Sequence, residues 1–320
     1  MSANMNRVII TGGAGFIGTH LCERLIKEGI KHLTVFDNFT SGNRKHALFL
    51  LERGVQVVES DIANMDVLCA AMKRNDTVFH LAANPDIAKA VTQPDIDFLQ
   101  GTLLAQNVFE AARRNGVETI FYTSGSGVYG EDKGVDFTEG YGPMRPISTY
   151  GASKLGCEAL LCSYCHMFGI KGRAFRFANV VGPRQTHGVG FDFLRRLREN
   201  PGRLRILGDG TQSKSYIHVD DILDAIFCVA DKCKLPYDIY NVATGDYITV
   251  SEIADLAVEV SGLASGSVSY EFTGGDRGWK GDVPAVRFNC EKIATTGWHC
   301  QRSSRDALFA AMRAMRMEIN

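Results

Sequence analysis

Thr11-Gly12-Gly13-Ala14-Gly15-Phe16-Ile17-Gly18 joins a short apolar run to a helical one near the start of a 320-residue chain. Ahead of it, Arg7-Val8-Ile9-Ile10 reads as a buried parallel strand. Behind it, Phe16 to Lys27 carries apolar residues at Phe16, Ile17, Leu21, Leu25 and Ile26, a helical stripe. Glycine lets the backbone turn sharply and approach a pyrophosphate, whose charge then sits at an amide-rich helix N-terminus. Gly13, Gly15 and Gly18 have the G-x-G-x-x-G spacing, and Gly12 adds a wider G-x-x-G-x-x-G reading. A second strand, His32-Leu33-Thr34-Val35-Phe36, ends at Asp37, the place for a carboxylate that meets the adenosine ribose hydroxyls. Strand, loop, helix and acid in register predict a dinucleotide site rather than an unliganded glycine turn.

Composition bounds the rest. With 45% hydrophobic residues the chain can bury a large core and is long enough for two lobes. Lys and Arg number 35 against 36 Asp and Glu, so no basic excess points to a nucleic-acid partner. No apolar run approaches membrane-spanning length and no signal pattern opens the sequence, so the expectation is a soluble cytoplasmic protein without membrane contact. Nine cysteines without paired spacing predict reduced thiols. Cys162 and His166 lie one helical turn apart beside Cys157 and Cys165, but lack partners at a zinc spacing; they read as buried small hydrophobes, and no metal is expected.

The first half alternates strands with helices. Strands are predicted at Val8–Ile10, Leu33–Phe36, Val55–Glu59, Thr77–His80, Thr119–Thr123 and Arg173–Phe177, and helices at Phe16–Lys27, Met65–Lys73, Asp97–Asn115 and Thr149–Phe168. Such alternation predicts an α/β fold, a Rossmann-type doubly wound parallel sheet covered on both faces. After Asn179-Val180-Val181-Gly182-Pro183-Arg184 the elements shorten, and a smaller mixed α/β lobe begins. There Phe191–Glu199 and Val250–Ser261 read as helices and Arg203–Leu207 and Ser269–Phe272 as strands. Ile222–Ala230 is apolar enough to return to the first sheet, so the two lobes should interleave.

Tyr150-Gly151-Ala152-Ser153-Lys154 places a phenol and an ammonium on one helix face, one turn apart. A neighbouring cation favours the ionised phenol, which can then act as general base toward an alcohol whose carbon gives hydride to a nicotinamide.

With these motifs in place the chain resembles the extended short-chain dehydrogenases/reductases, in the nucleotide-sugar epimerase group typified by UDP-glucose 4-epimerase. The resemblance spans nearly the whole chain. It rests on the glycine loop, Tyr150 and Lys154, and on Asp37-Asn38, Asp61-Ile62, His80-Leu81-Ala82-Ala83, Val128-Tyr129-Gly130, Asn179, Gly182-Pro183-Arg184, Gly208-Asp209-Gly210, His218-Val219-Asp220-Asp221 and Gly281-Asp282. It implies bound NAD, held by Gly12, Gly15, Phe16, Ile17 and Gly18, with Asp37 and Asn38 on the adenosine ribose and Asp61 and Ile62 along the adenine. Leu81, Ala82 and Ala83 would pass under the cofactor, with Thr123 and Phe177 beside it and Lys154 on the nicotinamide ribose. Asp37 disfavours a ribose phosphate, hence NAD over NADP, although Arg44 and Lys45 stand nearby. The change of pattern after residue 178 then places an NAD-binding domain over 1–178 with return segments near 215–241, and a mainly substrate-binding lobe over 179–320. The resemblance also implies a homodimer through the helices near Asp97–Asn115 and Thr149–Cys165. Plainer readings stand beside these: Asp61 as a helix cap, His80 as a hydrogen-bonded core residue, Asn179 as a turn residue.

The chain departs from the group's pattern at informative places. The catalytic Ser or Thr that the group carries three residues before Val128 is Gly125 here, leaving Ser126 first, Ser124 second, or Tyr150 alone to meet the sugar hydroxyl. The related dehydratases carry Asp and Glu where this chain has Ser126 and Gly127; the decarboxylases carry a Glu that Gly127 cannot supply. Lys214-Ser215 replaces the usual Arg-Asp, and Trp279, flanked by Arg277 and Lys280, replaces a phosphate arginine. A point charge thus stands in for a fork. Asn179, Lys214, Arg277 and Trp279 form the expected substrate set, Trp279 stacking on the ligand or covering a core edge. Asn84 to Ala90 and Gln185 to Phe191 are expected to influence sugar choice. The expected reaction is NAD-dependent C4 epimerisation of a nucleotide-diphosphate sugar, a UDP-hexose by resemblance, through a transient 4-keto sugar. Its rivals are a keto-sugar reductase that releases its cofactor and a non-catalytic NAD-binding sensor.

Overall fold

The computed structural model describes residues 5–131, 134–278, 281, 283 and 285–319. Seven strands form one sheet in the order Tyr237–Val242, Lys171–Phe177, Thr119–Gly125, Thr77–His80, Arg7–Thr11, His32–Asp37, Gln56–Glu59. The five strands from Thr119–Gly125 to Gln56–Glu59 pair in parallel. The Gly172 and Ala178 amides reach the Pro236 and Val242 carbonyls with equal offsets, which extends the same direction to the far edge. This is the doubly wound Rossmann-type sheet expected, and its strand order reverses between Arg7–Thr11 and Thr77–His80. Crevices beyond the C-terminal strand ends at such a reversal take ligands in α/β sheets.

The chain divides into two compact units, 1–128 with 148–176 and 226–240, and 129–147 with 177–225 and 241–320. In the first, Ile9, Val78, Ile120 and Tyr122 of the sheet bury one face against Ala105, Val108 and Phe109 of the helix Leu104–Arg114 and Cys157 and Leu161 of the helix Thr149–Phe168. Helices Phe16–Lys27 and Thr149–Phe168 have the expected bounds. The stretch expected as one helix over Asp97–Asn115 opens with a π-helical turn, Phe98–Leu103, before Leu104–Arg114. Its apolar spacing is helical either way, so periodicity does not separate the two.

In the second unit, helices Val189–Glu199, Val250–Ser261 and Ser304–Ile319 pack around Leu204, Ile206, Ile253, Leu256, Leu308 and Met312. Strand Ser269–Phe272 runs parallel to Arg203–Ile206. Residues 129–147 lie in this unit, although a boundary at 178 assigns them to the first. Asp136–Phe137 pairs with Arg287–Phe288, Tyr129 stacks on Phe137, and Asn241 receives the Tyr129 hydroxyl while donating to the Phe137 carbonyl. Among the described residues no helix is long and apolar enough to cross a membrane.

Candidate active site

The glycine loop leaves the C-terminal end of Arg7–Thr11, and its glycines divide the work. Gly12 turns at φ +74° with its amide on the Phe36 carbonyl, and a Cβ there would stand 2.8 Å from the Ala82 nitrogen. Gly13 packs on Val35, where a Cβ would be 2.6 Å from a methyl group, and Gly18 packs on Gly13, 2.5 Å from its Cα. These two set the close fit of helix on loop. Gly15 differs: a Cβ there would meet only the Gly12 carbonyl, at 3.2 Å. Gly15 is also the N-cap of Phe16–Lys27, which has no side-chain cap and no acid in its first turn. An uncapped helix start beside open space fits a pyrophosphate.

Asp37, at the end of the second strand, is 7% exposed and accepts the Ala14 amide at 3.0 Å and the Phe39 amide at 2.9 Å. Burial raises its carboxyl above the usual range against those two hydrogen bonds. A carboxylate has about four acceptor positions, so two remain for ribose hydroxyls. Arg44 is held by Glu59 through two contacts of 2.8 and 2.6 Å and lies over the Phe39 ring at 4.6 Å. That engagement takes the nearest arginine away from a ribose phosphate and agrees with NAD. Asn38 donates to Asp61 at 2.7 Å, and Asp61 accepts the Ala63 amide. The cap of helix Met65–Met72 is Asn64, not Asp61. Ile62 is buried, and Leu81, Ala82 and Ala83 are half-buried just past the strand Thr77–His80. Replacing Asp37 with Asn is expected to weaken NAD binding by about 1.5–3 kcal/mol, roughly 10- to 150-fold in Kd, measured by calorimetry.

Ser148 caps the helix Thr149–Phe168 by accepting the Gly151 amide at 3.1 Å. Thr149 donates to Asp97 at 2.7 Å, and Asn84 donates to the same carboxylate at 3.0 Å. Asn84 and Asp97 are buried, so Asn84 anchors the first turn of this helix rather than facing a sugar. Tyr150 is half-buried in that turn. Lys154 is 6% exposed and donates from Nζ to the Thr123 carbonyl at 2.7 Å, with Nζ 5.0 Å from the Tyr122 ring centroid and 5.5 Å from that of Tyr150. The Thr123 hydroxyl bonds the His80 carbonyl at 3.3 Å. The structure thus brings Tyr150, Lys154 and Thr123 to the C-terminal end of the central strands, inside the first unit.

His80 is fully buried with Nδ1 2.7 Å from the Thr11 hydroxyl; burial, then the Lys154 charge, push its imidazole down to about 3. It is a neutral core residue, as the plainer reading held. Because its folded value lies below the unfolded 6.5, the unfolded chain binds the extra proton. Stability is therefore full above pH 6.5 and falls as pH drops toward 3, by about 1.4 kcal/mol per pH unit from this group. Urea unfolding at pH 7 and 5.5 checks this against His80→Phe, which should lose one proton's worth of slope.

The second unit holds the other candidates. Asn179 is exposed; its amide and Nδ2 both donate to the Ser215 carbonyl, at 3.1 and 3.2 Å. Ser215 begins a hydroxyl chain through Thr244 at 2.7 Å and Ser304 at 2.9 Å to the Asp246 carboxylate. Lys214 is half-buried on the short strand Ser213–Lys214. Arg277 is paired with Glu131 at 2.9 and 2.8 Å. Gln185 is 9% exposed and Phe177 is buried. Trp279, Lys280 and Asp282 lie outside the described residues. All nine cysteines are free, and burial pushes the Cys165 thiol up to about 12. The sequence reading missed the Asn84–Asp97–Thr149 anchor and the Glu131 partner of Arg277; the available signal was only isolated polar residues next to motifs.

A family model described as the NAD dependent epimerase/dehydratase family matches residues 8–243. The chain is 29% identical over 297 residues to a putative UDP-glucose 4-epimerase of Methanocaldococcus jannaschii, covering 91% of this chain and 92% of that protein. It is 30% identical over 252 residues to a dTDP-glucose 4,6-dehydratase of Mycobacterium tuberculosis, 76% of this chain and 75% of that one. The crystal structure of the Thermus thermophilus UDP-glucose 4-epimerase in complex with NAD is similar at TM-score 0.85 and 31% identity, over 97% of this chain and 99% of that one.

Proposed function

Because the chain belongs to the NAD dependent epimerase/dehydratase family, we propose that it epimerises a nucleotide-diphosphate sugar, a UDP-hexose, at C4. The observation that carries this is the Tyr150–Lys154 pair on one helix face, with Lys154 anchored to Thr123, beside a Ser126-Gly127 step that has no carboxyl group. Elimination of water across two sugar carbons needs an acid and a base beyond the tyrosine. Redox at one carbon does not.

In this reading Tyr150 is the net acceptor of the proton lost by the C4 hydroxyl. Lys154 stabilises negative charge developing on the phenol oxygen and holds the nicotinamide ribose. The glycine loop and Asp37 would hold NAD, which would supply the hydride acceptor and donor for C4. Asn179, Lys214 and Arg277, with Trp279, are assigned to the nucleotide diphosphate, which must stay held while the sugar turns.

We also assign a homodimer, supported by the exposed apolar side chains of Phe98, Leu99 and Leu103 on the π-helical turn; light scattering at twice the 35.1 kDa chain mass is the expected result. A cytoplasmic setting accords with the free cysteines.

Incubation with UDP-, GDP-, CDP- and dTDP-sugars, without added cofactor, tests the reaction by proton NMR of the sugar ring. Appearance of one sugar's C4 epimer is the expected outcome. Turnover only with stoichiometric NAD or NADH identifies a net oxidoreductase instead.

A further inference from the structure

We infer that Ser126 supplies the hydroxyl that contacts the reacting sugar alcohol, in place of the one missing at Gly125. The inference rests on the hydride chemistry proposed above and concerns which group relays the proton.

Five serine and threonine hydroxyls stand at the start of helix Thr149–Phe168 and the end of strand Thr119–Gly125, and four are committed or sealed. Thr123 bonds the His80 carbonyl at 3.3 Å. Ser148 caps the helix and Thr149 bonds Asp97. Ser124 is 5% exposed, and its Oγ is sealed from solvent with no hydrogen-bond partner among the described residues. Strand alternation puts Ser124 on the same sheet face as Ile120 and Tyr122, which lie in the core beneath the helices. A hydroxyl closed off there cannot touch a substrate without rearrangement, and leaving it unbonded costs stability.

Ser126 remains. It opens the short turn Ser126–Val128, is half-exposed, and its hydroxyl has no hydrogen-bond partner among the described residues. The turn is packed on the helix start: a Cβ at Gly127 would lie 3.3 Å from Gly151 Cα and 4.0 Å from the Ser148 hydroxyl. Gly127 thereby lets the turn approach the residue next to Tyr150, and Ser126 is carried beside it. The lost hydroxyl at Gly125 is replaced by one a residue later, on the turn rather than the strand.

The step balances as a relay. The sugar O–H proton passes to Ser126 Oγ as the Ser126 proton passes to the Tyr150 oxygen. The C4–H electron pair leaves as hydride to bound NAD, and the C4–O bond becomes a carbonyl.

The test compares Ser126→Ala, Ser124→Ala and Ser126→Thr in the full-length protein loaded with NAD. Two quantities are read: single-turnover reduction of the cofactor at 340 nm with the sugar nucleotide that the NMR panel selects, and calorimetric affinity for that nucleotide sugar. Ser126→Ala should slow reduction by about 100-fold or more while changing Kd less than about threefold, and Ser126→Thr should recover most of the rate. Ser124→Ala should stay within about threefold of the parent in rate and unfold no more easily. Placing the hydroxyl back with Gly125→Ser in the Ser126→Ala protein should restore activity. Equal rates for Ser126→Ala and the parent, or a large loss in Ser124→Ala alone, overturn the inference. Cofactor reduction without any epimer formed contradicts the epimerase reading, yet leaves the comparison of serines decisive.

Discussion

Tyr150→Phe is expected to lower turnover by about 10²- to 10⁴-fold, the range for losing a positioned general base. The loss should fall on the rate of the chemical step, because only the phenol oxygen is removed. Tyr150 is half-buried in the first helical turn, and that turn is fixed by its neighbours: Ser148 caps it and Thr149 ties it to Asp97. Lys154 keeps its own anchor, the Thr123 carbonyl at 2.7 Å, which does not pass through Tyr150. The variant should therefore fold and keep NAD. Rate is measured with saturating sugar nucleotide, and cofactor content by absorbance after denaturation. Near-equal turnover would remove both the epimerase and the reductase readings. A sensor that only binds NAD would show no such dependence on the phenol.

The largest expected loss of stability comes from the ion pair one turn further along the same helix. Glu158 and Arg176 meet through contacts of 2.6 and 2.9 Å, with side chains 3% and 1% exposed. Glu158 is four residues from Lys154, so the pair fixes the helix face that presents the ammonium. Removing one partner leaves a buried charge without compensation, and Glu158→Leu or Arg176→Met alone should cost about 3–5 kcal/mol. The double variant Glu158→Leu/Arg176→Met should recover most of that, because desolvation of both charges is relieved together. Denaturant unfolding of the three variants measures it. Single variants within about 1 kcal/mol of the parent, or a double variant worse than either, would show that the pair does not carry the helix.

The sheet was legible because the chain announces it locally. Glycines that must turn or pack closely, an acid at the end of the second strand, and short β-branched runs coincide with the strands from Arg7–Thr11 to Thr119–Gly125. Helix Phe16–Lys27 was legible to the residue, since Gly15 starts it and Lys27 and Glu28 end its apolar stripe. What escaped the sequence depends on distant partners. Asn84 looks like a loop residue near a sugar until the fold brings Asp97 to it. Arg277 reads as a phosphate cation, yet its partner Glu131 is 146 residues away. The assignment of residues 129–147 turns on the pairing of Asp136–Phe137 with Arg287–Phe288, two-residue strands too short to leave a pattern. The π-helical turn at Phe98–Leu103 preserves helical apolar spacing and so hides in periodicity.

Transient oxidation and reduction at one carbon is the central claim, and a nucleotide sugar carrying deuterium at C4 tests it most directly. The protein is incubated with the labelled substrate in ordinary water, and the product is followed by NMR and mass spectrometry. The account predicts an epimer that keeps the deuterium at C4, because the same hydride leaves and returns within one bound complex. Label washed into solvent, or a product that has lost water and carries the deuterium at another carbon, would contradict it.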